Sequence, residues 1–347
     1  MGLRSRLRKA RSSQEELAHA FWQWWQDDAA DRICAGTDGF APAYIKRLNQ
    51  RIARISPGLA WELGAGTVAE HALVIFAEQP DQAALARRVL KAAPAPDIHW
   101  EYADTRRAAV DFEELTLGIA GQDFAAEDFR VRLLLNRYSA DIAVYHPHLA
   151  LLPGAKRMLP VSIMLDHAIG QADAAAWIRI VEPVLQPHAD DIPLGGLREV
   201  VDRLRAGALD EHGQPIWEEL HGVAADGEPI TAVVQVPLAP TFWPDFDQHV
   251  AIRLDYRTEL GGGQPGGRSA QRLQQLENAL AAALGPDGRL VAVETTAGRR
   301  TLHFYVDSTT SAAWQLEAGA VAWTEGPVGT GSELDPSWSS VRHLRLR

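Results

Sequence analysis

Two short runs late in the chain constrain its fold more than anything else. Val250, Ile252, Leu254 and Tyr256 alternate along HVAIRLDY, and Leu302, Phe304 and Val306 alternate along TLHFYVD. A period of two marks a strand with one buried face. Between them, GGGQPGG leads into a stretch where Leu273, Leu276, Leu280 and Leu284 line one helical stripe, with Ser269 placed to cap it and Gly285-Pro286 to end it. LVAVET and TLHFYVD flank TAGRR in the spelling of a hairpin, a second helix from near Ser308 carries Trp314 and Leu316, and a last strand is expected near Ala322 to Val328. The order is βαββαβ, the split-βαβ or ferredoxin-like arrangement. The fold class is therefore α+β, with a C-terminal ferredoxin-like domain preceded by a larger α/β region.

A length of 347 residues exceeds one ordinary core, because domains usually run to about 100 to 150 residues. The acid in the chain marks a boundary. Residues 206–245 hold seven acidic and no basic residues, whereas 246–347 hold eleven and ten. This middle piece is rich in Pro and Gly, and Ile216 to Val223 and Pro229 to Val236 flank Asp226-Gly227 in the pattern of a hairpin. The expected organisation is an N-terminal α/β domain over 1–205, in one or two subdomains, an acidic structured bridge over 206–245, and the ferredoxin-like domain over 246–347.

The N-terminal region reads as ααββαβ. Ser12 and Ser13 stand three residues before Glu15 and Glu16, a capping-box spelling. Leu17, Phe21, Trp24 and Trp25 then recur at helical spacing, and Ile45, Leu48, Ile52 and Ile55 mark a second helix after Pro42. LAWELGAG, HALVIFAE and HWEYAD read as strands, with a helix around Leu85 to Leu90 before the third. From 113 to 205 strands are expected at LTLGIA, VRLLLNRY, DIAVYH, LPVSIMLDH and RIVEPV, with helices at ADAAAWI and around Leu197 to Leu204.

Trp22 lies off the stripe of the first helix, so either its own domain or a partner must cover it; an aromatic anchor of this kind suits an interface. A second set of candidates follows from the alternation. If Val250, Ile252, Leu254, Leu302, Phe304 and Val306 face the helices, then Arg253, Asp255, His303 and Tyr305 share the opposite face of two neighbouring central strands. RNA-recognition modules stack bases on such a face, but the balance of ten basic and eleven acidic residues supplies no excess to neutralise phosphates. That disfavours RNA and leaves a protein partner, or the rest of the chain, to meet the face.

The closing segment ELDPSWSSVRHL, with Asp335 and Trp338, the hairpin ending in HFYVD, and the βαββαβ order resemble domain-of-unknown-function family 695 and its relative, the regulator of RNase E activity B family, over about 246–347. In those families a late Asp, then Trp and a short terminal helix or strand, close the fold. FWQWWQ, LDHAIGQADAAAWI and ADGEPITA also resemble longer bacterial proteins in which such a domain follows an N-terminal partner. The resemblance implies no assigned activity; its ribonuclease-regulating branch implies that the fold binds a protein.

No motif fixes a reaction. Gly261 to Gly267 lacks the Lys and frame of a P-loop. His146-Pro147-His148 with Asp166-His167 lacks an identifiable third metal ligand, no G-x-S-x-G elbow occurs, and the single cysteine, Cys34, sits at a helix C-terminus, where thiolate is disfavoured. One cysteine also excludes a disulfide framework. MGLRSRLRKAR is basic but has no apolar signal core after it, and no apolar run reaches the roughly 20 residues of a membrane helix. The sequence reads as a cytoplasmic, non-enzymatic, protein-binding or regulatory protein with no cofactor and no metal. The competing expectations are a hydrolase or transferase with an interdomain cleft, and an immunity-type protein masking a toxin with acids such as Glu218 and Glu219.

Overall fold

The first helix starts well upstream of its capping box. In the computed structural model, which describes residues 3–34, 42–223, 227–257 and 259–345, α1 runs Leu3–Trp24. Ser12 and Ser13 fall inside it because the Leu, Arg, Lys and Ala residues before them are strong helix formers. The side chains of the first twelve residues and of Cys34 lie outside the described residues. A π-helical turn over Trp25–Ala29 connects α1 to α2 (Ala30–Cys34), followed by α3 (Pro42–Ile55), β1 (Leu59–Ala65), β2 (His71–Ala77), α4 (Ala83–Lys91) and β3 (Trp100–Ala103).

These elements belong to the first of two compact units, Met1–Arg106. Its sheet has the order β1-β2-β3, antiparallel then parallel, and α4 provides the crossover that a parallel pair requires. Among the described residues of α1 and the π-helical turn, Ala18, Phe21, Trp22, Trp25 and Ala29 are buried. That stripe recurs at i, i+3, i+4 and i+7, and it corrects the expected one: Trp22 is in it, while Trp24 lies on its flank under the Arg51 guanidinium, 4.6 Å from the ring. Leu48, Ile52, Leu73, Val89 and Trp100 complete the core.

The second unit, Arg107–Arg347, opens with the hairpin β4 (Thr116–Ile119) and β5 (Gln122–Ala125), then β6 (Arg130–Leu135), β7 (Ala140–Tyr145), α5 (Met158–Ile169), α6 (Gln171–Trp177), β8 (Ile178–Val184), β9 (Ile192–Pro193) and α7 (Leu197–Gly207). A four-stranded sheet forms in the order β8-β7-β6-β9. LPVSIMLDH, expected as a strand, is α5. Val161, Met164, Leu165, Ala168 and Ile169 are buried at a helical period, and Pro160, also buried, sits in the first turn, where a missing N–H costs nothing.

The chain continues through β10 (Trp217–Val223), β11 (Pro229–Gln235), β12 (Gln248–Asp255), α8 (Gly267–Leu284), β13 (Gly288–Thr296), β14 (Arg299–Val306), α9 (Ala312–Ala320), β15 (Val328–Leu334) and a 3-10 turn (Ser339–Leu344). The hairpin read from the acid-rich segment is β10–β11; Asp226 of its turn lies outside the described residues. β11 pairs with β13, so this hairpin extends the C-terminal strands into one six-stranded antiparallel sheet, order β10-β11-β13-β14-β12-β15. Ile252 pairs with Leu302 and Val250 with Phe304, which places all four on one face, under Leu273, Leu280 and Leu284 of α8 and Leu316 of α9.

Two boundaries differ from expectation. The last strand begins at Val328, because Trp323 is buried and its indole donates to the Asp255 carbonyl at 2.8 Å, holding the preceding segment in a turn. Ser269 lies inside α8, whose N-cap is Gly266, and its hydroxyl donates to the buried Glu325 carboxylate instead of capping. No helix among the described residues is long and apolar enough to cross a membrane.

Candidate functional site

The face of the six-stranded sheet away from α8 and α9 carries every other residue of its central strands. Facing pairs on β12 and β14 are His249 with Tyr305, Ala251 with His303, Arg253 with Thr301 and Asp255 with Arg299. Arg253, Asp255, His303 and Tyr305 therefore share one face, as the alternation requires. The face is not open along its length. Tyr305 is 0% and His303 6% exposed, because Phe246, Trp338, Val341 and Leu344 pack over this end with Ala232 and Val234. Trp338 stacks on Tyr305 at 4.2 Å between centroids, and its indole donates to the Phe246 carbonyl at 2.9 Å. The chain thus covers its own aromatic platform.

At the other end the face is open. Arg253 is exposed and lies across Gly329 and Gly331 of β15, where a Cβ would come within 3.7 and 3.9 Å of its side chain. Asp255 accepts from Arg299 Nε at 2.6 Å. That pair is partly exposed, which limits its contribution to about 0–1 kcal/mol.

A row of titratable groups that the sequence did not single out crosses the covered end. His249 on β12, His303 on β14 and Glu294 on β13 are linked: His249 Nε2 lies 3.0 Å from His303 Nδ1, and His303 Nε2 lies 3.1 Å from Glu294 Oε2. The other carboxylate oxygen of Glu294 is 2.8 Å from His343 Nε2. Since a carboxylate only accepts, His303 donates to Glu294 through Nε2. On its other side, His249 Nδ1 faces Glu333 Oε1 at 3.7 Å. Burial, reinforced by the charge of His303, pushes His249 down to about 4. For Glu294 burial acts upward, but the hydrogen bonds and charges of His303 and His343 together outweigh it and hold the carboxyl at about 2.

Asp335 organises the cover. It accepts from Tyr305 Oη at 2.6 Å, from the Ser339 and Ser340 amides at 2.8 Å each, and from the Ser339 hydroxyl at 2.7 Å. Burial opposes its ionisation, yet these donors outweigh burial and keep it well below the usual carboxylate range. Tyr305 is pushed far up by burial and then by Asp335, so it stays a phenol and a donor. The closing Asp and Trp thus seat the 3-10 turn on the sheet.

The remaining sequence candidates sit as follows. In the first unit Trp22 is 3% exposed, donates to the Val89 carbonyl at 2.7 Å and meets Phe21 and Tyr102 edge-on at 4.9 Å each; its own unit covers it. His146 is a core residue and not a loop histidine: it packs against Phe124 and Phe129 and is held neutral, at about 4, by burial and then by His148. No group of three or more potential metal ligands occurs among the described residues. Gly263 packs onto the β13–β14 turn, where a Cβ would lie 2.8 Å from Ala297 N, so the glycine run serves close backbone approach. Glu218 is not a free acid, since it accepts from Arg137 at 3.0 Å and from the Tyr138 hydroxyl.

The sheet ends at β10. Trp217, Glu219, His221 and Val223 point to one side of this terminal strand, next to Val233 of β11, which faces Glu219. Trp217 is 42%, Val223 74% and Val233 37% exposed. Among the described residues no strand pairs with the outer edge of β10.

No curated protein and no solved structure matches the chain. Residues 226–343, from the second strand of the hairpin through the closing 3-10 turn, match the family described as Family of unknown function (DUF695).

Proposed function

We propose that this chain is a non-enzymatic, protein-binding module with a regulatory role, and that it takes an extended segment of its partner along the outer edge of β10. The observation that carries this reading is the exposure of Trp217 and Val223 on one side of the terminal strand β10, beside the exposed Val233 of β11. An edge strand presents unpaired N–H and C=O groups, adjacent apolar side chains supply pockets for alternate residues of an added strand, and exposed Trp is enriched among residues that dominate binding.

The βαββαβ order with strands arranged β13-β14-β12-β15 supports a ferredoxin-like reading of 246–347. In this reading β10–β11 is the acidic bridge added to that domain, and 1–205 forms the N-terminal α/β region. The resemblance to the ribonuclease-regulator branch makes an RNA-processing enzyme of the cytoplasm the first partner to test. Arg253 and Asp255 form a secondary contact surface at the open end of the sheet, His303 and Tyr305 fix its shape from beneath, and Trp22 contributes through packing.

The test is a photo-reactive residue placed at Glu219 of the full chain in native cells. A discrete cross-linked partner that is lost in Trp217→Glu and Val233→Glu supports the proposal. Cross-links unchanged by both substitutions, or none at all, overturn it.

A further inference from the structure

Between the four-stranded and six-stranded sheets of the second unit lies a cleft of about 590 Å³, within the range of about 300–1,000 Å³ common for small-molecule sites. One wall comes from α6 and the start of β8, through Ala176 and Ile178; the other follows β11, through Val236 and Leu238; Leu344 of the 3-10 turn closes one end. These surfaces are apolar. The mouth is basic. Arg137, Arg179, Arg342 and Arg345 line it against a single carboxylate, Glu218, in a chain whose net charge is -11.

The four guanidinium groups are not equivalent. Arg137 pairs with Glu218 at 3.0 Å, and Arg179 is bound through Nε and Nη2 to Asp141. Among the described residues no ion pair engages Arg342 or Arg345. Arg345 donates through Nη2 to the Ser337 carbonyl at 3.1 Å, while its Nε is buried without an acceptor. Burial, and then the neighbouring charge of Arg342, lower the affinity of Arg345 for its proton. Two adjacent cations, one with an orphaned donor, line an apolar cleft, and the nearby Asp335 carboxylate is already committed to Tyr305, Ser339 and Ser340: a further bidentate acceptor would answer the fork and relieve the repulsion together.

We propose that this cleft binds a small amphipathic organic anion, its carboxylate or phosphate head held by Arg342 and Arg345 and its apolar body lying between Ile178 and Val236. The proposal does not depend on the edge of β10.

Calorimetric titration of the full chain with octanoate, octyl phosphate, octanol and acetate tests it. Octanoate or octyl phosphate is expected to bind at least tenfold more tightly than octanol and acetate, and the tighter of the two identifies the head group. Arg342→Ala, at an exposed position, is expected to weaken binding at least tenfold while leaving the urea midpoint unchanged, with part recovered in Arg342→Lys. Ala175→Glu, which sets a carboxylate at the exposed lip of the cleft, is expected to abolish it. Octanol binding as well as octanoate, no binding of either anion at millimolar concentration, or full affinity in both Arg342→Ala and Ala175→Glu overturns the proposal.

Discussion

The two faces of the six-stranded sheet are built from the same strands by opposite means. Under α8 and α9, Val250, Ile252, Leu254, Leu302, Phe304 and Val306 form a dry layer in which each residue contributes through area and fit. On the other face, Tyr305, Asp335, His249 and His303 are buried and Glu294 is partly buried, and each depends on a named partner. An apolar layer degrades gradually when a group is removed, but a buried polar row leaves its neighbours unsatisfied. The helix-covered face therefore supplies most of the stability, and the second face makes that stability sensitive to pH and to the C-terminal turn.

The largest break in this contrast is expected on the dry face. Phe304→Ala removes a fully buried ring and should cost about 3–5 kcal/mol, read as a lower urea midpoint with an unchanged slope. Acid comes next. His249 is held at about 4, below its ordinary 6.5, so the unfolded chain binds the extra proton first. Its contribution is intact above about pH 6.5 and is lost as the pH falls towards 4, by up to about 3 kcal/mol. Glu294, held at about 2, adds a further loss from the usual carboxylate range down to about pH 2, in the same direction. Urea titrations at successive pH values should show this slope, and His249→Gln, which can still hydrogen-bond His303 but does not titrate, should flatten its upper part.

Smaller effects sharpen the same division. Tyr305→Phe keeps the stack on Trp338 but removes one donor from Asp335, which retains the Ser339 and Ser340 amides. A loss of about 1–2 kcal/mol is expected, with Asp335 titrating at higher pH by carboxyl NMR. The smallest effect belongs to the open end, where Asp255→Asn breaks a partly exposed pair with Arg299 and should change stability by less than about 1 kcal/mol. If Asp255→Asn proves as damaging as Tyr305→Phe, the open and covered ends are not energetically distinct.

What could be read from the sequence follows from the kind of signal each feature leaves. The inner face was legible because period-two alternation fixes which residues point together, and Val250 and Leu302 do so. The covering of Tyr305 was not, because nothing local indicates that Trp338, Val341 and Leu344 return across thirty residues to pack on it. The clue was the spelling Asp335–Ser339–Ser340, a carboxylate followed by amides it can cap, which needs coordinates to be placed under Tyr305. α5 reads as a strand because a continuous apolar run is ambiguous, although Val161, Met164, Leu165 and Ala168 already carry the helical period. His249 leaves little signal, because it stands at the start of the alternating run, where the period does not yet assign a face. The arginine cleft was invisible because its members come from segments about two hundred residues apart.

The 3-10 turn at Ser339–Leu344 joins these themes. Its apolar side, Val341 and Leu344, is clamped on the sheet, while Arg342 and the following Arg345 reach into the cleft. Whatever grips those two guanidinium groups also presses the turn onto its seat. If the cleft is filled as proposed, the expected trace is slower amide exchange along β14, where Tyr305 meets the turn, some distance from the ligand itself.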